Sequence, residues 1–331
     1  MKLSILDQSP ISSNQSARDA LNESMKLAQC GEKLGYERYW IAEHHDLPGL
    51  ACSAPEVMLS YIGANTSTIR IGSGAVLLPH YKPYKVAELY NMLATLFPNR
   101  IDIGIGRAPG GSAEVTNALS DNFLQQVYKM PKSVSELLHF LANDFPPDHE
   151  FSKVSAAPIP PAAPVPWLLG TSKKSALLAA ENGMAYAFGQ FMSENDPAEI
   201  IQQYLDSFKP RKAGQNPQVI VTVNVICAET DEQAEEIALS SLIWSVQKGK
   251  GEARGVPSIA EAKEYPLSDK DTETITKMKQ NMVIGNPKKV LQKLNHALVA
   301  YRADELMLVT ITHAPEDRAH SYQLIANEAF K

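Results

Sequence analysis

Short apolar segments alternate along the chain with longer segments in which apolar residues recur every three or four positions. The short segments have the length of buried strands, and the longer ones have the periodicity of helices with one buried face. Strands are predicted to begin near eight residues: Leu3, Tyr39, Ile69, Ile101, Val165, Met184, Val219 and Glu305. A predicted helix follows each of them, so the chain repeats one strand–helix unit.

This alternation predicts parallel strands joined by right-handed helical crossovers. Eight such units match a closed (β/α)8 barrel, a fold that needs about 250 residues before insertions are added. A doubly wound open sheet is the structural alternative, and it would place fewer strands in one sheet. We therefore predict an α/β fold, a (β/α)8 TIM barrel with insertions, in which residues 1–331 form a single domain.

Capping patterns mark the starts of several predicted helices. A serine or threonine stands three positions before an acid or a glutamine, the spacing of a capping box, at three places: Ser16 with Asp19, Ser53 with Glu56, and Thr230 with Gln233. Asn286 followed by Pro287 also suits a helix start, because Asn can cap and Pro fits the first helical position. These patterns support helices after the first, second and seventh predicted strands and before the last.

Two segments interrupt the alternation. Residues 145–166 contain seven prolines, which exclude a continuous helix and predict an irregular excursion with room for a short edge hairpin. Residues 248–271 are rich in Gly, Pro and charged residues. Loops of that length in compact domains are usually functional or disordered, so this segment is predicted to be a long loop or a mobile lid.

Composition narrows the classes of partner. The net charge is −6 and the sequence pI is about 5.8, which argues against nucleic acid or an anionic membrane surface as a partner. No apolar run approaches the roughly 20 residues that span a bilayer, and the N-terminal apolar stretch is too short for a signal peptide. Cys30, Cys52 and Cys227 lie far apart in the sequence. This pattern predicts reduced thiols in a cytoplasmic protein.

Residues suited to catalysis or ligand binding directly follow several predicted strands. In a barrel of this kind the C-terminal ends of the strands form the active site. Glu43, His44 and His45 follow the second strand, Arg107 stands in a glycine-rich segment after the fourth, and Gly170-Thr171-Ser172 follows the fifth. The predicted site therefore has a histidine-rich edge and an anion-binding edge.

Each of these motifs has an alternative explanation. The segment GIGRAPGG, residues 104–111, lacks the dinucleotide-binding spacing because Pro109 occupies the place of the third glycine. Arg107 suits a phosphate, since its guanidinium forms two parallel hydrogen bonds and glycine backbone allows close approach, or it is a surface arginine in a turn. Gly170-Thr171-Ser172 either binds the same phosphate at a helix N-terminus or is an ordinary helix cap.

The two histidines are adjacent on an extended segment, so only one of them can face the barrel interior. The spacings typical of metal-binding histidines are absent, and no metal site is predicted. General acid–base catalysis needs only one imidazole with a pKa near neutrality. The alternative is a histidine that is hydrogen-bonded for structural reasons.

Five segments together resemble the bacterial luciferase-like flavin monooxygenases over nearly the whole chain. They are YWIAEHH (39–45), IGSGAVLLPH (71–80), RIDIGIGRAPGG (100–111), NPKKV (286–290) and DELML (304–308). The resemblance implies a (β/α) barrel, reduced FMN supplied by a separate flavin reductase, dioxygen, a small-molecule substrate and a homodimer. Some branches of the family use a deazaflavin, so a deazaflavin-dependent dehydrogenase is an alternative, as is a flavin-binding protein without turnover.

The resemblance also implies residue roles. Arg107, together with Gly170-Thr171-Ser172, matches the grip on the flavin phosphate. Gly74-Ala75 matches a non-prolyl cis peptide that lies against the flavin ring, and His44 matches the catalytic acid–base. Gly106 stands where true luciferases have a reactive cysteine. This departure, with the unmatched segment 248–271, argues against a long-chain aldehyde substrate and light emission.

Overall fold

Eight parallel strands close into a barrel in the computed structural model, which describes residues 1–331. A ninth strand is added outside the barrel. The strands are β1 (Leu3–Asp7), β2 (Arg38–Ile41), β3 (Arg70–Leu77), β4 (Ile101–Gly106), β5 (Val165–Gly170), β6 (Ala185–Gly189), β7 (Val219–Cys227), β8 (Met282–Gly285) and β9 (Glu305–Val309). β1 to β7 follow one another around the barrel, and β9 closes it between β7 and β1. The predicted barrel is confirmed, and all eight predicted strands belong to it.

β8 has no counterpart among the predicted strands. It pairs in parallel with the C-terminal half of β7, from Asn224 opposite Met282 to Cys227 opposite Gly285. The N-terminal half of β7 pairs with β6 and β9 inside the barrel. β7 is therefore long enough to leave the barrel and carry one further strand.

Thirteen helices surround and extend the barrel. They are α1 (Ala17–Leu34), α2 (Pro55–Ala64), α3 (Pro83–Leu96), α4 (Ala113–Leu119), α5 (Phe123–Tyr128), α6 (Met130–Ala142), α7 (Lys173–Glu181), α8 (Pro197–Ser207), α9 (Asp231–Lys250), α10 (Ile259–Glu264), α11 (Asp269–Gln280), α12 (Pro287–Ala300) and α13 (Pro315–Ala329). None of them combines the length and the apolar character that crossing a membrane requires.

The capping predictions are right for three helices and wrong for one. Ser16 and Thr230 form complete capping boxes at α1 and α9, and the Asn286 side chain accepts a hydrogen bond at the start of α12. Ser53 does not cap α2, which begins at Pro55 without any side-chain cap. Proline has no N–H, so the first turn of α2 has one backbone donor fewer to satisfy.

The prediction of a loop or lid at residues 248–271 is wrong. α9 continues to Lys250, α10 occupies residues 259–264, and α11 begins at Asp269. Ser258 and Ser268 each form a capping box that starts a helix, and the Lys250 ammonium lies 2.7 Å from the Asp271 carboxylate. These local hydrogen bonds specify helices in a segment whose overall composition suggests irregular structure. Residues 145–164, by contrast, contain neither helix nor strand, so the predicted excursion is confirmed and the hairpin is absent.

Bulky side chains fill the barrel interior. Trp40 and Trp167 meet edge to face with ring centroids 5.5 Å apart, among buried residues such as Leu6 and Met307. At the N-terminal end Arg38 pairs with Asp102 at 2.7 Å and with Glu305 at 2.8 Å, all three buried. Since each charge there has a partner, the ion cluster closes this end of the barrel. The three cysteines are unpaired, as predicted.

Candidate active site

The residues that the sequence analysis assigned to the site lie within or directly after four barrel strands, toward the C-terminal end of the barrel. His44 follows β2, the Gly74–Ala75 peptide lies within β3, Arg107 follows β4, and residues 170–172 join β5 to α7. Parallel pairing places these strand ends at one end of the barrel. Residues separated by more than 120 positions in the sequence thus share one region.

The peptide bond between Gly74 and Ala75 is cis. The pairing of β3 with β4 shifts register here, between Ser73 and Val76. A Cβ atom at position 74 would lie 2.5 Å from Leu6 Cδ1, so this position accepts only glycine without rearrangement. A Cβ atom at Gly106 would lie 3.0 Å from the Ala75 Cβ. The adjoining surface of β3 and β4 is therefore made of backbone and small side chains.

Arg107 lines a cavity of about 400 Å³ between β5, α5 and α7. Lys174 and Ser175, in the first turn of α7, line the same cavity, and Leu168 and Leu169 form part of its apolar wall. Neither Arg107 nor Lys174 has a carboxylate within 4 Å. Two cations without a counterion give the cavity a positive character that suits an anionic ligand.

Gly170, Thr171 and Ser172 do not line this cavity themselves but form the turn that leads from β5 into α7. Ser172 forms a capping box with Ser175 at the start of α7. A Cβ at Gly170 would collide with the Ser175 side chain, whose Oγ lies 3.0 Å from the Tyr186 hydroxyl. Burial raises the pKa of Tyr186 to about 12, against the opposing effect of the Arg107 charge. The turn positions Lys174 and Ser175, which lie in the first turn of α7. The sequence analysis identified neither residue, although both directly follow the Gly170-Thr171-Ser172 motif.

His44 occupies the other side of this end of the barrel. The residue is half-buried, and its buried Nδ1 atom has no hydrogen-bond partner. Burial lowers the pKa of His44 to about 4, and the positive charges of Lys248 and His45 contribute to the shift. The imidazole is therefore neutral near pH 7, with a nitrogen available to hold a proton.

His45 has a structural partner instead. Its Nε2 lies 2.8 Å from the buried carboxylate of Glu43, which also accepts hydrogen bonds from the Tyr81 hydroxyl at 2.6 Å and from the Leu77 amide at 3.0 Å. The His45 amide donates to the carbonyl of Gly110 at 2.8 Å. Glu43 and His45 thus connect the segments after β2, β3 and β4. The sequence placed Glu43 at a strand end but gave no sign of these partners.

His80 anchors the segment that carries Arg107. Its Nε2 lies 2.9 Å from the Pro109 carbonyl oxygen, and its ring stacks on Phe123 with centroids 4.9 Å apart. These contacts hold the glycine-rich segment between β3 and α5. The backbone on both sides of Arg107 is thus held, by β4 and by the contacts of His80, while the Arg107 side chain is exposed.

A closed parallel barrel with a cationic cavity and a half-buried neutral histidine at its C-terminal strand ends has the features of a barrel enzyme. The family model described as luciferase-like monooxygenase matches residues 1–305. The chain belongs to this family, as its sequence motifs predicted.

Full-length relatives support the assignment. The uncharacterized protein YceB of Bacillus subtilis is 43% identical, with 98% of each chain covered. The N-acetyl-S-alkylcysteine monooxygenase of the same organism is 34% identical, with 99% of this chain and 98% of the relative covered. Among solved structures, apo-MsnO8 is 34% identical and superimposes with a TM-score of 0.88 over 99% of this chain and 97% of its own.

Two more distant proteins are described with a flavin. The oxygenating constituent of 3,6-diketocamphane monooxygenase of Pseudomonas putida, solved in complex with FMN, shares the fold with a TM-score of 0.74 at 20% identity. That alignment covers 99% of this chain and 97% of the other. The oxygenase component of a flavin-dependent trigonelline monooxygenase of Acinetobacter baylyi is 22% identical over 86% of this chain and 82% of its own. Flavin-dependent monooxygenases are thus found among the relatives.

Proposed function

We propose that this protein is a flavin-dependent monooxygenase that binds reduced FMN and uses dioxygen to oxidise a small organic molecule. The observation that carries the proposal is the pair of uncompensated cations, Arg107 and Lys174, in one cavity at the barrel end that also holds His44. A phosphate group would neutralise these cations. The membership of the chain in the luciferase-like monooxygenase family supports the same function.

The residues at this end of the barrel fit FMN. Arg107, Lys174 and Ser175 would hold the phosphate, and Leu168 and Leu169 offer apolar surface beside them. Gly74–Ala75 lies within β3 beside Gly106 of β4, and we assign it the place against the flavin ring that the family resemblance implies. Gly170, Thr171 and Ser172 would shape the phosphate site by positioning Lys174 and Ser175 at the start of α7.

Bound reduced flavin would supply the chemistry with dioxygen. The protein's own contribution is to bind and orient the cofactor, exclude water and handle the proton. His44 would take part in that proton transfer, and its buried Nδ1 has no hydrogen-bond partner in the protein that would fix the tautomer of the neutral ring. Gly106 offers no side chain and hence no thiol at the place where luciferases have one, so nothing here supports light emission.

Three further features belong to the proposal. A separate flavin reductase would supply the reduced cofactor in the cytoplasm, a division of labour that fits a relative named as an oxygenase component. A homodimer would cover apolar side chains that α2 and α3 leave exposed, namely Val57, Tyr61, Met92 and Leu96. One domain of 331 residues would carry the complete site.

The phosphate grip is tested by titrating FMN into the wild-type protein and the Arg107→Ala variant. Loss of a charge-assisted contact, worth about 1.5–3 kcal/mol, predicts FMN binding weaker by roughly tenfold or more. Lys212→Ala is the control, because Lys212 is exposed in the segment that precedes β7, at the opposite end of the barrel. Equal FMN affinity in wild type and Arg107→Ala would show that Arg107 has been assigned the wrong role.

A further inference from the structure

The Glu43 carboxylate is buried where the first residues after β2 meet the end of β3. Glu43 directly precedes His44, and only 3% of its surface is exposed. One carboxylate oxygen accepts a hydrogen bond from the Leu77 amide at 3.0 Å, and the other accepts one from the Tyr81 hydroxyl at 2.6 Å. His45 Nε2 lies 2.8 Å from that second oxygen and donates to it, because a carboxylate can only accept. These donors compensate for the burial of the charge.

The Leu77 amide needs this acceptor because β2 is shorter than β3. The pairing between the two strands ends with Ile41 opposite Ser73, whereas β3 continues to Leu77, which is buried. A buried backbone N–H without an acceptor costs about 1–3 kcal/mol. The side chain of Glu43 therefore takes the place that the backbone of a longer β2 would occupy.

Gly74–Ala75 lies between two points at which β3 is attached to the β2 side of the barrel. The first point is the strand pairing that ends at Ser73, and the second is the hydrogen bond from the Leu77 amide to Glu43. On the β4 side, the register shifts within the same stretch. Glu43 thus determines how this part of β3 is placed relative to His44, the next residue along the chain.

Tyr81 adds the turn between β3 and α3 to this arrangement. Burial and the hydrogen bond to Glu43 raise the pKa of Tyr81, so its hydroxyl stays protonated and donates. The Tyr81 amide donates to the Leu78 carbonyl at 3.0 Å, which closes the turn. The turn also carries His80, which contacts Pro109 in the segment of the phosphate cavity. The two oxygens of Glu43 therefore hold both ends of the turn.

We infer that Glu43 is a positioning residue: it holds the end of β3, beside Gly74–Ala75, in a fixed relation to His44, and so fixes where the flavin ring lies relative to that imidazole. The inference rests on the proposed function, which assigns the ring its place against Gly74–Ala75. Glu43 acts through the protein groups that it binds and needs no contact with the cofactor. Its role concerns the ring, whereas that of Arg107 concerns the phosphate.

The first test removes a single hydroxyl. Tyr81→Phe deletes a donor to Glu43, and Tyr84→Phe is the matched control, because the Tyr84 hydroxyl lies 3.4 Å from the Ser155 carbonyl and does not contact Glu43. The visible absorbance and circular dichroism of bound FMN are recorded at saturation. Tyr81→Phe should change this spectrum and weaken FMN binding by up to about tenfold, as loss of a charge-assisted hydrogen bond allows. Tyr84→Phe should match wild type, and Arg107→Ala should weaken binding without changing the spectrum at saturation.

Exchange of backbone amides with deuterium tests the same role without flavin. The amides of His44 and Leu77 should exchange about tenfold faster in Tyr81→Phe than in wild type, because losing a charge-assisted hydrogen bond makes local opening easier. In Tyr84→Phe they should exchange at the wild-type rate. Glu43→Gln keeps an oxygen that accepts from Leu77 and an amide group that donates to Tyr81. It should therefore stay closer to wild type than Glu43→Ala in both measurements.

The inference is overturned if the exchange of His44 and Leu77 is unchanged in Tyr81→Phe, or if the spectrum of bound FMN is unchanged in that variant. It is also overturned if Tyr84→Phe has the same effects, or if Glu43→Gln is no closer to wild type than Glu43→Ala. Failure of FMN to bind the wild-type protein would count against the proposed function. Amide exchange would then still decide whether Glu43 holds the end of β3.

Discussion

His44 is neutral near pH 7 because burial lowers its pKa to about 4, with the charges of Lys248 and His45 adding to the effect. A neutral imidazole can accept a proton but must be protonated before it can donate one. In the resting protein His44 is therefore neutral. Its lowered pKa departs from the near-neutral value that the sequence analysis expected of an acid–base residue, and it makes the imidazole a weaker proton acceptor than an ordinary histidine. The same burial makes this residue a source of pH-dependent stability.

Replacing His44 with Asn should make the stability of the fold less sensitive to acid. The unfolded chain binds a proton at His44 below about pH 6.5, whereas the folded protein resists it down to about 4. The contribution of the neutral imidazole to the free energy of unfolding is thus complete above about pH 6.5 and is lost as the pH falls towards about 4. At about pH 5 the loss is at most about 2 kcal/mol. Urea unfolding near neutral pH and near pH 5 measures it, and an equal acid-induced loss in both proteins would contradict the account.

Some residues of the candidate site can be identified from the sequence, and others cannot. His44 and Arg107 could be identified because each directly follows a predicted strand. Glu43 occupies an equally suggestive position, but its partner Tyr81 lies 38 residues away and on another barrel unit. Lys174 enters the cavity only through the direction in which α7 leaves β5. Such partnerships depend on tertiary geometry, which periodicity and motif spacing do not encode.

At the scale of elements, the apolar pattern predicts the strands of the barrel better than the structure outside it. β8, Met282–Gly285, is missed. It is as long as β2, but it pairs only with the part of β7 that leaves the barrel and so is not one of the eight repeating barrel strands. A loop is wrongly predicted for residues 248–271 because the composition of the segment as a whole is typical of a loop. The helices there depend on individual capping residues, Ser258 and Ser268.

A matched pair of serine variants tests this explanation. Ser268→Ala removes the side chain that caps α11 and should lower the free energy of unfolding by about 1 kcal/mol. Ser53→Ala should have almost no effect, because Ser53 is exposed and caps no helix. Urea denaturation of both variants gives the comparison. Equal losses, or a larger loss for Ser53→Ala, would contradict these two capping assignments.

At the scale of the whole molecule, the barrel has one closed end and one functional end. The buried cluster of Arg38, Asp102 and Glu305 closes the N-terminal end. The C-terminal end carries two cavities of about 400 Å³, one with Arg107 and one with Arg254 in its wall. His44 follows β2 at this same end. The proposed phosphate site, with Arg107 in its wall, thus lies at the same end of the barrel as His44.

The central claim, that this barrel lets reduced FMN react with dioxygen under the protein's control, is tested most directly by stopped-flow absorbance. Reduced FMN bound to the protein is mixed with dissolved dioxygen, and flavin re-oxidation is followed beside free FMN under the same conditions. We expect reduced FMN bound to the wild-type protein to be re-oxidised with a time course that differs from that of free FMN. With Arg107→Ala, at protein concentrations that leave the flavin unbound, the time course should match that of free FMN. Re-oxidation identical to that of free FMN, at protein concentrations that bind the flavin, would contradict it.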